Sequence, residues 1–271
     1  MIVSWRRVGY VAVVAVAVAF AVVPLLWMVS TSLKSNREIT QDGTLIPDSF
    51  TFANYASLFN GREFGAYLTN SIVVTAVSVA IALLFGTHAA YAVARFRLWR
   101  GMERYVGLAL LVTRIVPPIV IIIPVFLLAQ GFGVLNSKLG LIVMYSAFNV
   151  SVVVWMMESF FREIPIDLEE AAMVDGAGAW RTFVDHTLPM LRPTILVAVT
   201  LRSIDALTTF DQVYVLTRGG PGTATQLVSI YGYQTFFQFQ QFGYAAALLI
   251  MVALVVIAAA GLAVGLMRRR R

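Results

Sequence analysis

Cysteine is absent from the 271 residues, and histidine occurs only at His88 and His186. The first absence excludes disulfides, thiolate nucleophiles and cysteine metal sites. The second leaves no close pair of imidazoles for a metal cluster. Charge is scarce as well: 13% of residues are charged and 59% are hydrophobic, against about 25% and about 45–50% in soluble domains. So little charge cannot cover a soluble globule of 29.7 kDa with a mean hydropathy of +0.82. An ordinary soluble enzyme and a disordered chain are both excluded. A polytopic membrane protein remains, expected as one helical bundle over residues 1–271. The chain also lacks any Gly-Lys dipeptide, so it has no phosphate-binding loop of the G-x-x-x-x-G-K type. No nucleophile–base constellation stands out, and no catalytic residue or metal ligand is assigned.

What is present is long apolar runs. A hydrocarbon core of about 30 Å needs about 20 helical residues. Six segments qualify: 8–29, 67–94, 105–129, 139–157, 193–216 and 242–266. The first follows Arg6 and Arg7, as a signal peptide would. Its length and the Pro24, Trp27 and Met28 that follow its core argue for a retained membrane helix instead.

The net charge of +6 is read as membrane topology and not as a nucleic-acid footprint. Six spans place both termini on one side. That side collects Arg6, Arg7, Arg95, Arg97, Arg100, Arg104, Arg162, Arg181, Arg192 and Arg268 to Arg271. The opposite side has Lys34, Arg37, Arg62, Lys138 and Arg218. The excess predicts cytoplasmic termini in a plasma (inner) membrane protein. The terminal arginine run suits anionic lipid. Residues 30–66 form an outer loop large enough to meet an extracytoplasmic partner.

The most informative stretch is 158–192. Asp167 followed three residues later by Glu170 has the form of a capping box, predicting a helix start there. Asp167, Glu169 and Glu170 suit the positive end of a helix dipole. Gly176 and Gly178 predict a sharp turn. Beyond it, Trp180, Phe183, Val184 and Thr187 share one helical face, and Pro189 is expected to stop the helix. A helix–turn–helix with an apolar face and small alanines needs cover, either from the chain's own helix ends or from a partner.

These residues carry a resemblance. EAAMVDGAGAWRTFVDHTLP resembles the EAA loop of permease subunits of binding-protein-dependent ABC importers, with Glu170, Ala171, Ala172, Gly176, Leu188 and Pro189 at the motif positions. His186 stands where an aliphatic residue is usual. The flanking FFREIPIDLEEAAMVDGA is similar to the carbohydrate class. Residues 67–200 resemble the MalG-like subunits of maltose-type importers, whereas 202–247 are more similar to the MalF-like partner.

The resemblance implies an all-α type I importer permease. Its pathway is shared with a second permease subunit, in a heterodimer. Two separate ATPase subunits hold ATP and Mg, so no cofactor is expected on this chain. An extracytoplasmic binding protein delivers the solute, a sugar or sugar-like compound. The resemblance also makes 167–189 the ATPase-coupling loop, with Glu169, Glu170, Ala171, Ala172, Asp175, Gly176, Leu188 and Pro189 as its coupling residues.

Charges within predicted spans are costly and mark interior or wet positions. Arg114, Arg202, Asp205 and Asp211 are candidate pathway residues, with Gln212 and Tyr214 beside them. Arg202 and Asp205 are spaced to pair on one helix. The same groups suit either a polar solute pathway or a structural ion pair. Pro117, Pro118 and Pro124 predict a kink in the third span. TRGGPGTATQ (217–226) reads as a rigid turn or a short re-entrant element. Other small polar cargo, such as glycerol phosphate or a polyamine, remains open, as does an ion-coupled secondary transporter.

Overall fold

The computed structural model describes residues 5–41, 43–96 and 102–268, and every regular element in them is helical. The described chain falls into two compact units, one within Met1–Ala66 and Tyr231–Val255, the other within Tyr67–Ile230 and Val256–Arg271.

In the first unit, α1 (Trp5–Ser32) is apolar and exposed along its membrane-length stretch. A helix that is apolar on all sides belongs in lipid or against other chains. Its end is secured by polar contacts. Ser32 Oγ lies 2.8 Å from Tyr55 Oη, and the Asn54 amide donates to the carbonyls of Ser32 and Lys34 at 2.9 Å each. Two short helices follow, α2 (Asn36–Gln41) and α3 (Ala53–Asn60). Asn36 donates to the Gln240 carbonyl and accepts from the Phe242 amide. It thereby fixes the start of the long terminal helix Phe242–Arg268.

The second unit is built on α4 (Arg62–Arg95), which begins in the first unit, and on α7 (Lys138–Glu163). Their close approach is made at Gly86, where a Cβ would stand 2.7 Å from Val153. Around this contact lie buried Ala82, Ala90, Val153, Met157 and Phe161.

Two expected spans are interrupted. The third, 105–129, is broken into α5 (Met102–Ile115) and α6 (Pro118–Gly131). Pro117 and Pro118 offer no amide hydrogens, and proline pushes the residue before it out of helical conformation. Pro118 then opens the new helix, where its missing donor costs nothing. The expected interruption is thus a full break at Pro117, while Pro124 stays inside α6.

The fifth expected span, 193–216, is α11 (Arg192–Thr208) followed by α12 (Asp211–Leu216), with Thr209 extended between them. Thr208 and Thr209 both turn their hydroxyls back to the Asp205 carbonyl, competing with the helical ladder. The freed Thr209 carbonyl accepts from Ser229 at 2.8 Å and from Tyr145 at 3.5 Å. Four described helices remain long and apolar enough to cross a membrane: within α1, α4, α7 and the terminal helix.

Candidate coupling loop and solute cavity

The loop after α7 is a helix–turn–helix, as its sequence predicts, with its start displaced. α8 (Ile166–Val174) is preceded by Pro165, which offers no side-chain cap. Asp167 is thus inside the first turn and not at its cap, because Pro165 enforces the entry two residues earlier. Gly176 takes φ +87°, which disfavours any side chain. Its amide bonds to the Met173 carbonyl and that of Ala177 to Ala172, the paired closure of a Schellman motif. Gly178, at φ −68°, needs no glycine for its backbone conformation.

The returning limb is α9 (Ala179–Arg181), a π-helical stretch Thr182–Thr187 and α10 (Leu188–Met190). Pro189 does not stop it. The Leu188 amide reaches back five residues to Phe183, and this wider winding gives room for the proline ring. The interruption comes at Leu191, with φ −90° and ψ 3°.

The two faces of the loop differ sharply. Inward, Glu169 is buried, with its side chain 5% exposed against 9% for Arg95. Arg95 Nε donates to Glu169 Oε1 at 3.0 Å. The hydroxyls of Thr187 and Tyr91 donate to the same carboxylate at 3.1 and 3.2 Å. Arg95 Nη2 donates to the Ile164 carbonyl at 2.9 Å. Phe183 is buried against Tyr91 and Phe161, and Trp180 lies parallel to His88 at 6.1 Å.

Outward, Ile166, Leu168 and Met173 are about half exposed, Val174 is 87% exposed and Trp180 68%. Glu170, Ala171, Asp175 and Gly176 are exposed beside them, whereas Ala172 is buried and Leu188 and Pro189 are half-buried. The predicted face Trp180, Phe183, Val184 and Thr187 is therefore split: Phe183 and Thr187 point in, while Trp180 stays largely out. The joining of Glu169 to Arg95 and Tyr91, more than 70 residues earlier, has no sequence signal.

The second feature is a cavity of about 260 Å³ beside the two helix breaks. Tyr145, Asn149, Arg202, Asp205, Thr209 and Gln212 are among its lining residues. Arg202 donates to Asp205 at 2.8 Å, as their spacing allowed. Arg202 Nε is buried without a hydrogen-bond partner. Asp211 is exposed outside the lining, and Tyr214 is half-buried under the Arg218 guanidinium at 5.8 Å. The Arg114 side chain lies outside the described residues. Tyr145 and Asn149 were missed in the sequence, where only a polar residue in an apolar run marked them; Thr209 lies in the polar stretch 208–214 that the sequence marks as suited to a sugar. The turn at 217–226 is bound to α4, with the Asn70 amide donating to the Gln226 carbonyl and the Val228 amide to Ser71 Oγ. Gly219 takes φ +89° there, a backbone conformation that disfavours any side chain.

A carboxylate-tied loop with an uncovered outward face, beside broken helices around a polar cavity, is transport architecture. The family comparison agrees: residues 82–271 match the family model described as binding-protein-dependent transport system inner membrane component. The chain belongs to that family. It is a multi-pass inner-membrane permease subunit of an ABC importer, a transport component and not an enzyme.

Two relatives are informative. The diacetylchitobiose uptake system permease protein NgcG of Streptomyces coelicolor is 36% identical, over 76% of this chain and 71% of that one. The trehalose transport system permease protein SugB of Mycobacterium tuberculosis is 38% identical, over 72% and 71%. Among solved structures, a chain of a bacterial ABC transporter that imports the acidic polysaccharide alginate superposes with a TM-score of 0.76 at 22% identity, covering 97% of both chains. The same transporter type has been seen in complex with a pentasaccharide-bound periplasmic protein.

Proposed function

We propose that this chain, acting as one permease domain, carries a sugar or sugar-like solute into the cell. It pairs with a second permease subunit and is driven by two ATPase chains, which hold the ATP and Mg. An extracytoplasmic binding protein supplies the solute. The carrying observation is the outward face of the 166–180 loop, where Leu168, Met173, Val174 and Trp180 are exposed together at the end of a buried polar anchor. An apolar patch of this kind marks a protein contact. Glu170, Ala171, Asp175 and Gly176 border it, and the small side chains let an ATPase surface approach closely. This face lies in the cytoplasm, on the side of both termini.

The pathway lining is the cavity at Arg202, Asp205 and Gln212, with Asp211 and Tyr214 nearby and Arg114 on α5. Amide, hydroxyl and guanidinium groups beside Tyr145 suit a hydroxyl-rich ligand. The names of the relatives support a carbohydrate over glycerol phosphate or a polyamine. The test is affinity purification of the chain from native membranes in mild detergent, with mass spectrometry of its partners. A P-loop ATPase and a second permease are expected. Recovery of the chain alone, under conditions that keep such complexes intact, overturns the reading.

A further inference from the structure

The ion pair at the base of the loop does more than fill space. Arg95 sits on the last turn of α4, and its guanidinium holds two points of the loop. Nε takes Glu169 in the middle of α8, and Nη2 takes the Ile164 carbonyl just ahead of Pro165. Two fixed points five residues apart define the direction of α8, which one point could not do. Glu169 in turn collects Thr187 from the returning limb and Tyr91 from the preceding turn of α4. Three elements thus converge on one carboxylate.

A second attachment lies one turn further along α4. There His88 packs against both Trp180 and Phe183, its Nδ1 2.6 Å from the Leu84 carbonyl. Burying an ion pair is expensive, and apolar replacements are often no less stable. Its return is a fixed geometry, here one that binds both limbs of the loop to a single helix.

We infer that Arg95 and Glu169 are positioning residues that make the coupling loop and the end of α4 move as one body, so that α4 is the helix through which ATPase motion enters the membrane. Glu169 is then no contact for the ATPase, which meets Leu168 and its neighbours on the opposite face. This inference rests on the docking of the loop proposed above. Arg95 is half of the device and has no place in the coupling motif itself.

The absence of cysteine permits a direct test. Cysteines introduced at exposed Phe85 and Asp185 carry nitroxides in the full importer, reconstituted in liposomes with its ATPase and binding protein. With the parent chain, the distance distribution stays narrow and unshifted when a non-hydrolysable ATP analogue with Mg is added. With Glu169→Gln or Arg95→Gln the distribution broadens. The ratio of ATP hydrolysis with and without binding protein, per assembled complex, falls about fivefold, within the range for residues that carry coupling. Arg95→Lys, which keeps the charge and loses the fork, gives an intermediate result.

If Glu169→Gln fails to assemble, Tyr91→Phe with Thr187→Val removes two of the three donors while keeping the ion pair, and a smaller broadening of the same kind is expected. A distribution as narrow as the parent's, with an unchanged hydrolysis ratio, overturns the inference. Leu168→Asp separates the two levels. If it expels the ATPase while Glu169→Gln changes nothing, only the joint fails. If neither variant alters ATPase binding or the hydrolysis ratio, the docking reading fails with it.

Discussion

The coupling loop and the cavity between the broken helices both put charged side chains in the second unit, and they treat those charges in opposite ways. In the loop, the buried carboxylate of Glu169 has three donors, and Arg95 spans two acceptors. In the cavity, Arg202 reaches Asp205 with one nitrogen while its Nε is left without a partner. A satisfied buried network is rigid and specifies one arrangement. An incompletely satisfied one is less tightly specified, and here the unpaired donor lies on a residue that lines the cavity. The difference fits the roles proposed for the two parts, one to transmit motion and one to receive a solute.

Several substitutions break or sharpen this contrast. The largest effect is expected for Glu169→Ala, which strands Arg95 in a buried site. Removing one member of such a pair costs about 3–5 kcal/mol, read as lost thermal stability and lost ATPase co-purification. Gly86→Leu comes next, since its side chain must enter the space of Val153. Overpacking of this kind costs about 1–3 kcal/mol, and a lowered midpoint with intact secondary structure is the expected readout.

Gly176→Val follows. No neighbour would meet its Cβ, so the penalty is confined to the left-handed backbone, about 1–2 kcal/mol. Uptake should fall while the ATPase still hydrolyses ATP; wild-type uptake would remove the turn from the coupling device. Arg202→Met is expected to leave stability within about 1 kcal/mol, because its pair with Asp205 is exposed on the acid side. Uptake of the solute carried by the binding protein should nonetheless drop about tenfold, as for a lost bond to a charged donor. Unchanged uptake would erase the contrast. Thr187→Val is the mildest, about 1 kcal/mol for one hydrogen bond, and should slightly lower thermal stability.

The loop was legible in the sequence to an unusual degree. Glycine at 176 acts within a few residues of itself, so local pattern sufficed for the turn, whereas the apolar period at 180–187 was split, with Phe183 and Thr187 inward and Trp180 largely out. The helix start was displaced because Pro165 outweighed the Asp167–Glu170 capping pattern. The passage through Pro189 was hidden because π-winding has no residue signature. The third and fifth spans differ in the same respect. In the third span the prolines marked the interruption in advance, whereas in the fifth the apolar content suggested one continuous helix that the threonine pair at 208–209 divides.

What the sequence by itself determined is therefore whatever depends on composition and short-range spacing: a membrane chain without a G-x-x-x-x-G-K loop, its long apolar helices, its Gly176 turn and the Arg202–Asp205 pair. What only the tertiary structure decided is which polar groups meet across long separations. Arg95 and Tyr91 find Glu169, and Ser229 and Tyr145 find the Thr209 carbonyl. The physical reason is that a charge or a carbonyl in an apolar setting must be satisfied by whatever packing brings near. Packing partners are fixed by the close approach of α4 and α7 at Gly86, a contact between residues 67 positions apart that no local pattern encodes.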